Sequence, residues 1–178
     1  MTAEAGAGAG ERPGDRAEVV RRLAAIPDRL AEAARSAVGR PVLAGEWGPP
    51  EVVRHLIAVE EVVWHSRLRQ LAAADRPTWP WVEPEPWRGD PGATLDELLA
   101  TYEARRSEAV AILEGFGAET WGRTGIHAIW GEINVADLMV RALDHDDEHI
   151  ASLAGPGAPW HIATLACSAE HAERESHD

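Results

Sequence analysis

Lysine is absent from this sequence, and cysteine occurs once, as Cys167. A single cysteine excludes an internal disulfide and any metal site built from several thiolates. All 17 basic residues are arginine, against 30 acidic residues, and the net charge is −13. Because phosphate groups are bound by clusters of basic side chains, this balance argues against a nucleic-acid partner and against an anionic membrane surface.

Long apolar runs are also lacking. No segment has the length needed to span a bilayer, and residues 1–16, MTAEAGAGAGERPGDR, lack the apolar stretch of a signal peptide. We therefore expect a cytoplasmic protein. The composition predicts a disordered leader over residues 1–16, one domain over residues 17–156 and a partly disordered C-terminal extension over residues 157–178.

Helical periodicity predominates, and no alternating stretch is long enough to indicate a β-strand. Four helices are predicted, over residues 18–38, 49–73, 94–115 and 134–154, and Pro27 is expected to break or kink the first. Thr94 and Glu97 have the spacing of a capping box, and Asn134 is a good N-cap. The sequence thus predicts an all-α fold, an antiparallel four-helix bundle with a long proline- and tryptophan-rich loop, DRPTWPWVEPEPWRGDPG, between helices 2 and 3.

The segment LDHDDEH places two histidines, His145 and His149, four residues apart on the last predicted helix. Residues at this spacing share one face of a helix, so one cation could contact both rings. The apolar stripe of the helix passes through the same positions, which predicts that the histidines point inward and that the intervening acids mainly face solvent. Such a pair also arises by chance on exposed helices, and spacing alone leaves both interpretations open.

His55 is the candidate for a third ligand, because it lies on the apolar face of the second predicted helix. Inward-facing histidines on separate helices are how helix bundles build metal sites. Three imidazoles leave coordination positions open, as in catalytic ions. A lone histidine on such a face is, however, more often a hydrogen-bonded core residue than a ligand.

Three segments resemble the DinB superfamily of four-helix-bundle metalloproteins, particularly its thiol-transferase and hydrolase branch. They are EWGPPEVVRHL, TYEARRSEAVAILEGF and GIHAIWGEINVADLMVRALDHDDEHIASL, which come in the family's order, and the resemblance as a whole covers about residues 18–154. The resemblance implies a divalent metal held by His55, His145 and His149, with zinc expected first and nickel or iron as alternatives.

The same resemblance implies a reaction class without fixing it. We expect a transferase that uses a low-molecular-weight thiol, with mycothiol as a co-substrate because the arginine-only composition suits an actinobacterial source. A metal-dependent hydrolase and a non-catalytic metal-binding or sensor bundle are the alternatives. The expected partners are a small-molecule substrate and a thiol, and a homodimer would suit a bundle of this size.

Two acids lie near the candidate ligands in sequence and are predicted to orient their rings: Asp146, beside His145, and Glu60, one turn beyond His55. Either could equally be a solvated surface residue. His127, ahead of the last helix, is the candidate for acid–base catalysis, against the simpler interpretation of a hydrogen-bonded loop histidine.

The long loop supplies candidate substrate-binding residues, Trp81, Trp87 and Arg88, which could cover the metal or merely cap one end of the bundle. Trp47 is assigned to packing. His65 is excluded from the site, because its ten-residue separation from His55 turns it well away from that face of an α-helix.

Overall fold

The computed structural model describes residues 13–84 and 87–155. Four long helical stretches enclose one hydrophobic core. The first stretch is α1 (Pro13–Ala37), and the second is a continuous run of α2 (Pro49–Val59), a π-helical turn (Glu60–Trp64) and α3 (His65–Ala73). The third and fourth stretches are α4 (Leu95–Glu114) and α6 (Val135–Ser152). A single-turn helix, α5 (Ala118–Trp121), precedes α6. Helix α1 packs against α4 and α6, and α2 packs against α4.

Helix α1 continues through Pro27, so the predicted break is wrong. Proline removes one backbone hydrogen bond and disfavours a helix interior. Here the neighbouring side chains of Ile26 and Leu30 are completely buried against the other helices. Packing of this face outweighs the local cost, as tertiary contacts often do for helix propensities.

The helix starts follow the sequence signals. The side chain of Thr94 accepts a hydrogen bond from the backbone N–H of Glu97, and the Glu97 carboxylate accepts one from the backbone N–H of Thr94, which completes the capping box of α4. The Asn134 side chain accepts a 2.8 Å bond from the backbone N–H of Asp137 at the start of α6. Pro49 and Pro50 occupy the first turn of α2, where a missing N–H costs little.

A small sheet corrects the all-α prediction. Strand β1 (Thr78–Trp79) pairs in parallel with β2 (Thr124–His127), which pairs in antiparallel fashion with β3 (Gly131–Asn134). The strands are two to four residues long, too short for an alternating pattern to be recognised in the sequence. The antiparallel order of the four helices stays a prediction.

The sheet fixes the position of Trp79. At Gly125 on β2, a Cβ atom would lie 2.1 Å from the indole ring of Trp79, so only glycine lets the ring cross the strand at this distance. The indole N–H donates a 3.1 Å hydrogen bond to the side chain of Gln70 on α3. Trp79 therefore joins the strands to the end of the helical run.

Among the described residues, no helix is long and apolar enough to cross a membrane. Residues 1–12 of the predicted leader and residues 157–178 of the predicted extension lie outside the described part of the chain, whereas residues 13–16 already belong to α1.

Candidate metal centre

Three histidines from two helices meet at one point. His55 lies on α2, and His145 and His149 lie one turn apart on α6. One nitrogen from each ring can be chosen so that all three lie within 4.8 Å of one another, and the Nε2 atoms of His55 and His145 are 3.3 Å apart. The rings are half-buried rather than enclosed. The structure thus brings together all three predicted ligands, while their binding of a metal stays a prediction.

Two tryptophans flank this histidine triad (His55, His145 and His149). The ring of Trp47 lies 5.1 Å from that of His55 and stacks nearly parallel to His149 at 6.2 Å. Trp64 meets His145 edge-on at 6.2 Å. Sequence analysis assigned Trp47 to packing and did not single out Trp64, so both are additions to the site.

Burial keeps two of the rings uncharged. It lowers the pKa of His55 to about 4, with the nearby His145 acting in the same direction. It lowers the pKa of His149 to about 3, again helped by His145 and then by His55. Neutral imidazole is the form that binds a metal, so both rings are in the metal-binding form at neutral pH.

These shifts predict that the metal-free protein loses stability in mild acid. Unfolded histidine has a pKa of about 6.5, so the unfolded chain takes up protons at a higher pH than the folded chain. The free energy of unfolding should decrease as the pH falls from about 6.5 towards about 4. Urea titrations across this range should give a shallower decrease for a His55→Gln/His149→Gln variant than for the natural chain; equal decreases would contradict the assignment.

Beneath the triad lies a fully buried ion cluster centred on Arg106 of α4. Its guanidinium contacts the carboxylate of Glu60 and, at 2.5 Å, that of Asp146, and it donates a 2.9 Å hydrogen bond to the hydroxyl of Tyr102. Burial alone would raise the pKa of Asp146, but Arg106 holds it below its usual value. Burial would lower the pKa of Arg106, and the two carboxylates raise it instead. Arg106 and Asp146 therefore both stay ionised.

The cluster reaches the triad through Asp146. Its Oδ1 atom lies 3.7 Å from Nδ1 of His145, which has no hydrogen-bond partner among the described residues. A carboxylate on this side favours a proton on Nδ1 and leaves Nε2, which faces His55, as the free lone pair. Asp146 is thus placed to orient His145 as predicted, although 3.7 Å exceeds a direct hydrogen bond.

Glu60 lies one step farther from the triad than predicted. Its carboxylate contacts Arg106 and, at 3.3 Å, Nε2 of His65, and no described contact joins it to His55. His65 is buried and lies 2.8 Å from the backbone oxygen of Arg105. His65 has no described contact with the triad, so its exclusion from the site stays a prediction.

The π-helical turn explains why His65 lies beside Glu60. The backbone N–H of His65 bonds to the oxygen of Glu60, five residues earlier. Because of this bond, His65 lies on the same side of the helix as Glu60. On a regular α-helix, the side chains of two residues five apart point in directions that differ by roughly 140°. No sequence signal for such a turn was recognised, and π-helical turns are frequent at functional sites.

Replacing Arg106 should test the cluster. Arg106→Met leaves two buried carboxylates without a counter-charge, and we expect the free energy of unfolding to fall by about 3–5 kcal/mol. Arg105→Met is the matched control, because Arg105 pairs with Glu61 and Glu108 at the surface, where a salt bridge contributes about 1 kcal/mol or less. Similar decreases in the free energy of unfolding of the two variants, measured by urea denaturation, would show that the buried cluster stabilises the fold no more than a surface ion pair does.

The remaining predicted residues lie apart from the triad in their described contacts. The ring of His127 contacts Trp81 and Trp130. Trp87 packs under the guanidinium of Arg54 at 5.7 Å, and Arg88 is exposed in the same loop. Catalysis by His127 and substrate binding by the loop stay predictions.

The fold defines a helix-bundle protein in which three histidines converge, and the comparisons with known proteins agree with that fold. The sequence profile of the DinB superfamily matches residues 14–153, so the chain belongs to that superfamily. This confirms the resemblance seen in the sequence.

One curated relative is a protein from Oceanobacillus iheyensis named as a candidate metal-dependent hydrolase, 25% identical over 111 residues. The match covers 61% of this chain and 64% of the relative, which is slightly less than two thirds of that protein. Among solved structures, YfiT from Bacillus subtilis matches with a TM-score of 0.65 at 17% identity, covering 85% of this chain and 90% of YfiT. YfiT is described as a probable metal-dependent hydrolase with an unusual four-helix bundle topology, and the likeness shows the fold.

Proposed function

We propose that this protein is a metal-dependent enzyme whose ion is held by His55, His145 and His149. The observation that carries the proposal is the convergence of three ring nitrogens within 4.8 Å on a half-buried face. The names of the two relatives support the same class of activity.

The spacing of two of the rings, those of His55 and His145, suits two nitrogen ligands of one zinc ion. Zinc–nitrogen bonds of 2.0–2.1 Å at tetrahedral angles separate two ligand atoms by roughly 3.4 Å. The Nε2 atoms of His55 and His145 are 3.3 Å apart. All three donors are neutral imidazoles, which suit zinc and also accept nickel or iron, so zinc is our first choice.

A divalent cation at this site would supply a positive charge that lowers the pKa of a thiol or a water molecule bound to it. The protein's own residues supply position and environment. Asp146 keeps His145 in the tautomer whose Nε2 faces the centre, and Arg106 keeps Asp146 ionised. Trp47 covers His55 and His149 on one side and keeps bulk water from that side of the centre.

For the nucleophile we favour a small thiol, with mycothiol as the candidate. Among the described residues, the three histidines form the group of potential metal ligands, and the carboxylate of Asp146 lies on the Nδ1 side of His145 and pairs with Arg106, so it is not placed to act as a base. An ordinary thiol with a pKa of about 8.5 needs little help to ionise. In the net reaction a thiol RSH and an electrophile R′X give RSR′ and HX.

Hydrolysis is the second candidate, and the names of both relatives favour it. Metal-bound water reaches a pKa near 7 without any protein base, as in carbonic anhydrase. The two reactions require the same three ligands, so the choice depends on the nucleophile that the protein accepts.

Metal binding should depend on the triad alone. After loading with zinc and dialysis, the natural protein should hold close to one equivalent by elemental analysis. His149→Ala should lose most of it, because two ligands bind far more weakly than three. The matched control is Glu148→Ala, which removes the exposed neighbour on the same helix and should leave the content unchanged. Equal zinc in His149→Ala and Glu148→Ala would remove His149 from the site.

The reaction can be assigned with the zinc-loaded protein and two probes. We expect the zinc-loaded protein to conjugate 1-chloro-2,4-dinitrobenzene with mycothiol faster than the uncatalysed reaction does. The His149→Ala variant should lose this activity. Without thiol, the protein should release little nitrophenol from 4-nitrophenyl acetate. Release of nitrophenol that needs zinc but no thiol would favour hydrolysis instead. Stoichiometric zinc with neither activity over a broad panel of electrophiles and esters would indicate a binding or sensor protein.

A further inference from the structure

A second cluster lies beside the triad, supplies none of the proposed metal ligands and shares Trp64 with the surroundings of the triad. At its centre is Arg67 of α3, which is only 4% exposed. Its guanidinium carbon lies 5.8 Å from the ring of Trp64, 5.5 Å from that of Trp79 and 5.9 Å from that of Trp130. We call these four residues the Arg67 cage.

Within the described part of the chain, the charge in the Arg67 cage has no counter-ion. No carboxylate pairs with Arg67 among the described residues, and its guanidinium makes no hydrogen bond there, although acidic residues outnumber basic ones in the chain. Burial lowers the pKa of Arg67 to about 10, and no neighbouring acid raises it. Arg106, by contrast, pairs with two carboxylates. An unpaired buried cation is costly, and its presence calls for an explanation beyond packing.

Two more unpaired donors face the same region. Arg141 of α6 lies over Trp130, 5.2 Å from the ring, and has no ion pair among the described residues. His127 stacks on Trp130 at 4.0 Å, and its Nδ1 accepts hydrogen bonds from the backbone N–H groups of Ile129 and Trp130. The proton of the neutral ring is therefore on Nε2, which is buried and has no acceptor among the described residues.

The lowered pKa of His127 agrees with this arrangement. Burial lowers the pKa of His127 to about 4, with Arg67 and then Arg141 acting in the same direction. Both guanidinium groups are thus close enough to act on the imidazole. Exposure increases outwards, from Arg67 and His127 at the base, through half-buried Trp130, to exposed Arg141 and Trp81 at the rim.

We propose that Arg67, Arg141 and the Nε2–H of His127 form a binding site for the carboxylate of a small planar molecule. A guanidinium fork matches a carboxylate with two parallel hydrogen bonds, and the tryptophan rings offer flat faces to the attached group. The strongly acidic chain favours a monoanion over a doubly charged phosphate. Trp64 contacts both Arg67 and His145, so this site and the triad are one side chain apart. The proposal does not depend on the metal.

Benzoate and benzamide are a matched pair of probes, because they share size and shape but differ in charge. Titration calorimetry on metal-free protein should detect benzoate binding and no benzamide binding. Arg67→Met should weaken benzoate at least tenfold, and Arg141→Met several-fold. The control is Arg69→Met, which removes the same charge from the exposed side of α3 and should leave the affinity unchanged. His149→Ala should also bind benzoate normally, which separates this site from the proposed metal centre.

Stability provides a second readout. Arg67→Met removes an unpaired buried charge and keeps an apolar stem among the rings, so its melting temperature should equal or exceed that of the natural protein. If Arg67→Met fails to fold, Arg67→Lys keeps the charge but loses the fork and should bind benzoate several-fold more weakly. Benzoate that binds no better than benzamide, or binds equally well to the folded Arg67 variant, would overturn the proposal, and so would binding of inorganic phosphate in preference to benzoate.

Discussion

The arrangement of the site depends on one buried guanidinium. Arg106 of α4 joins Glu60, on the π-helical turn after α2, to Asp146 on α6, so three of the four long helical stretches meet at a single side chain. Charges buried this deeply are tolerated only when they are paired and hydrogen-bonded, and the pairing restricts the positions of the helices relative to one another. His145 is the neighbour of Asp146 in the chain, and His55 precedes Glu60 on the same helical run. The ion cluster therefore controls the register at which the histidines meet.

Two arginines in comparable burial illustrate the difference between a structural and a binding role. Arg106 has both of its acids, and its pKa is raised. Arg67 is surrounded by aromatic rings instead of acids, and burial lowers its pKa. Within the described part of the chain, Arg106 has its own anions, whereas Arg67 has none. Because both lie next to His145, one through Asp146 and the other through Trp64, a substrate carboxylate held at Arg67 would be close to a metal held by the triad.

Sequence reasoning was effective where the signal was local. The capping box at Thr94, the N-cap at Asn134 and the i, i+4 spacing of His145 and His149 each depend on a few neighbouring residues, and each is present in the structure. It was less effective where distant segments determine the result. Pro27 stays helical because of the packing around it, and β1 exists because β2, almost fifty residues later, pairs with it. The π-helical turn shifted the register after residue 60, which is why the positions of His65 and Arg67 could not be derived from a period of 3.6 residues.

The central claim is that three imidazoles from two helices bind one cation. X-ray absorption at the zinc edge of the loaded protein tests it most directly, because imidazole ligands are counted by their characteristic multiple scattering. We predict three imidazole nitrogens at about 2.0–2.1 Å and one exchangeable oxygen ligand. A spectrum with fewer than three imidazoles, or one that is unchanged when His55 is replaced by alanine, would contradict the account.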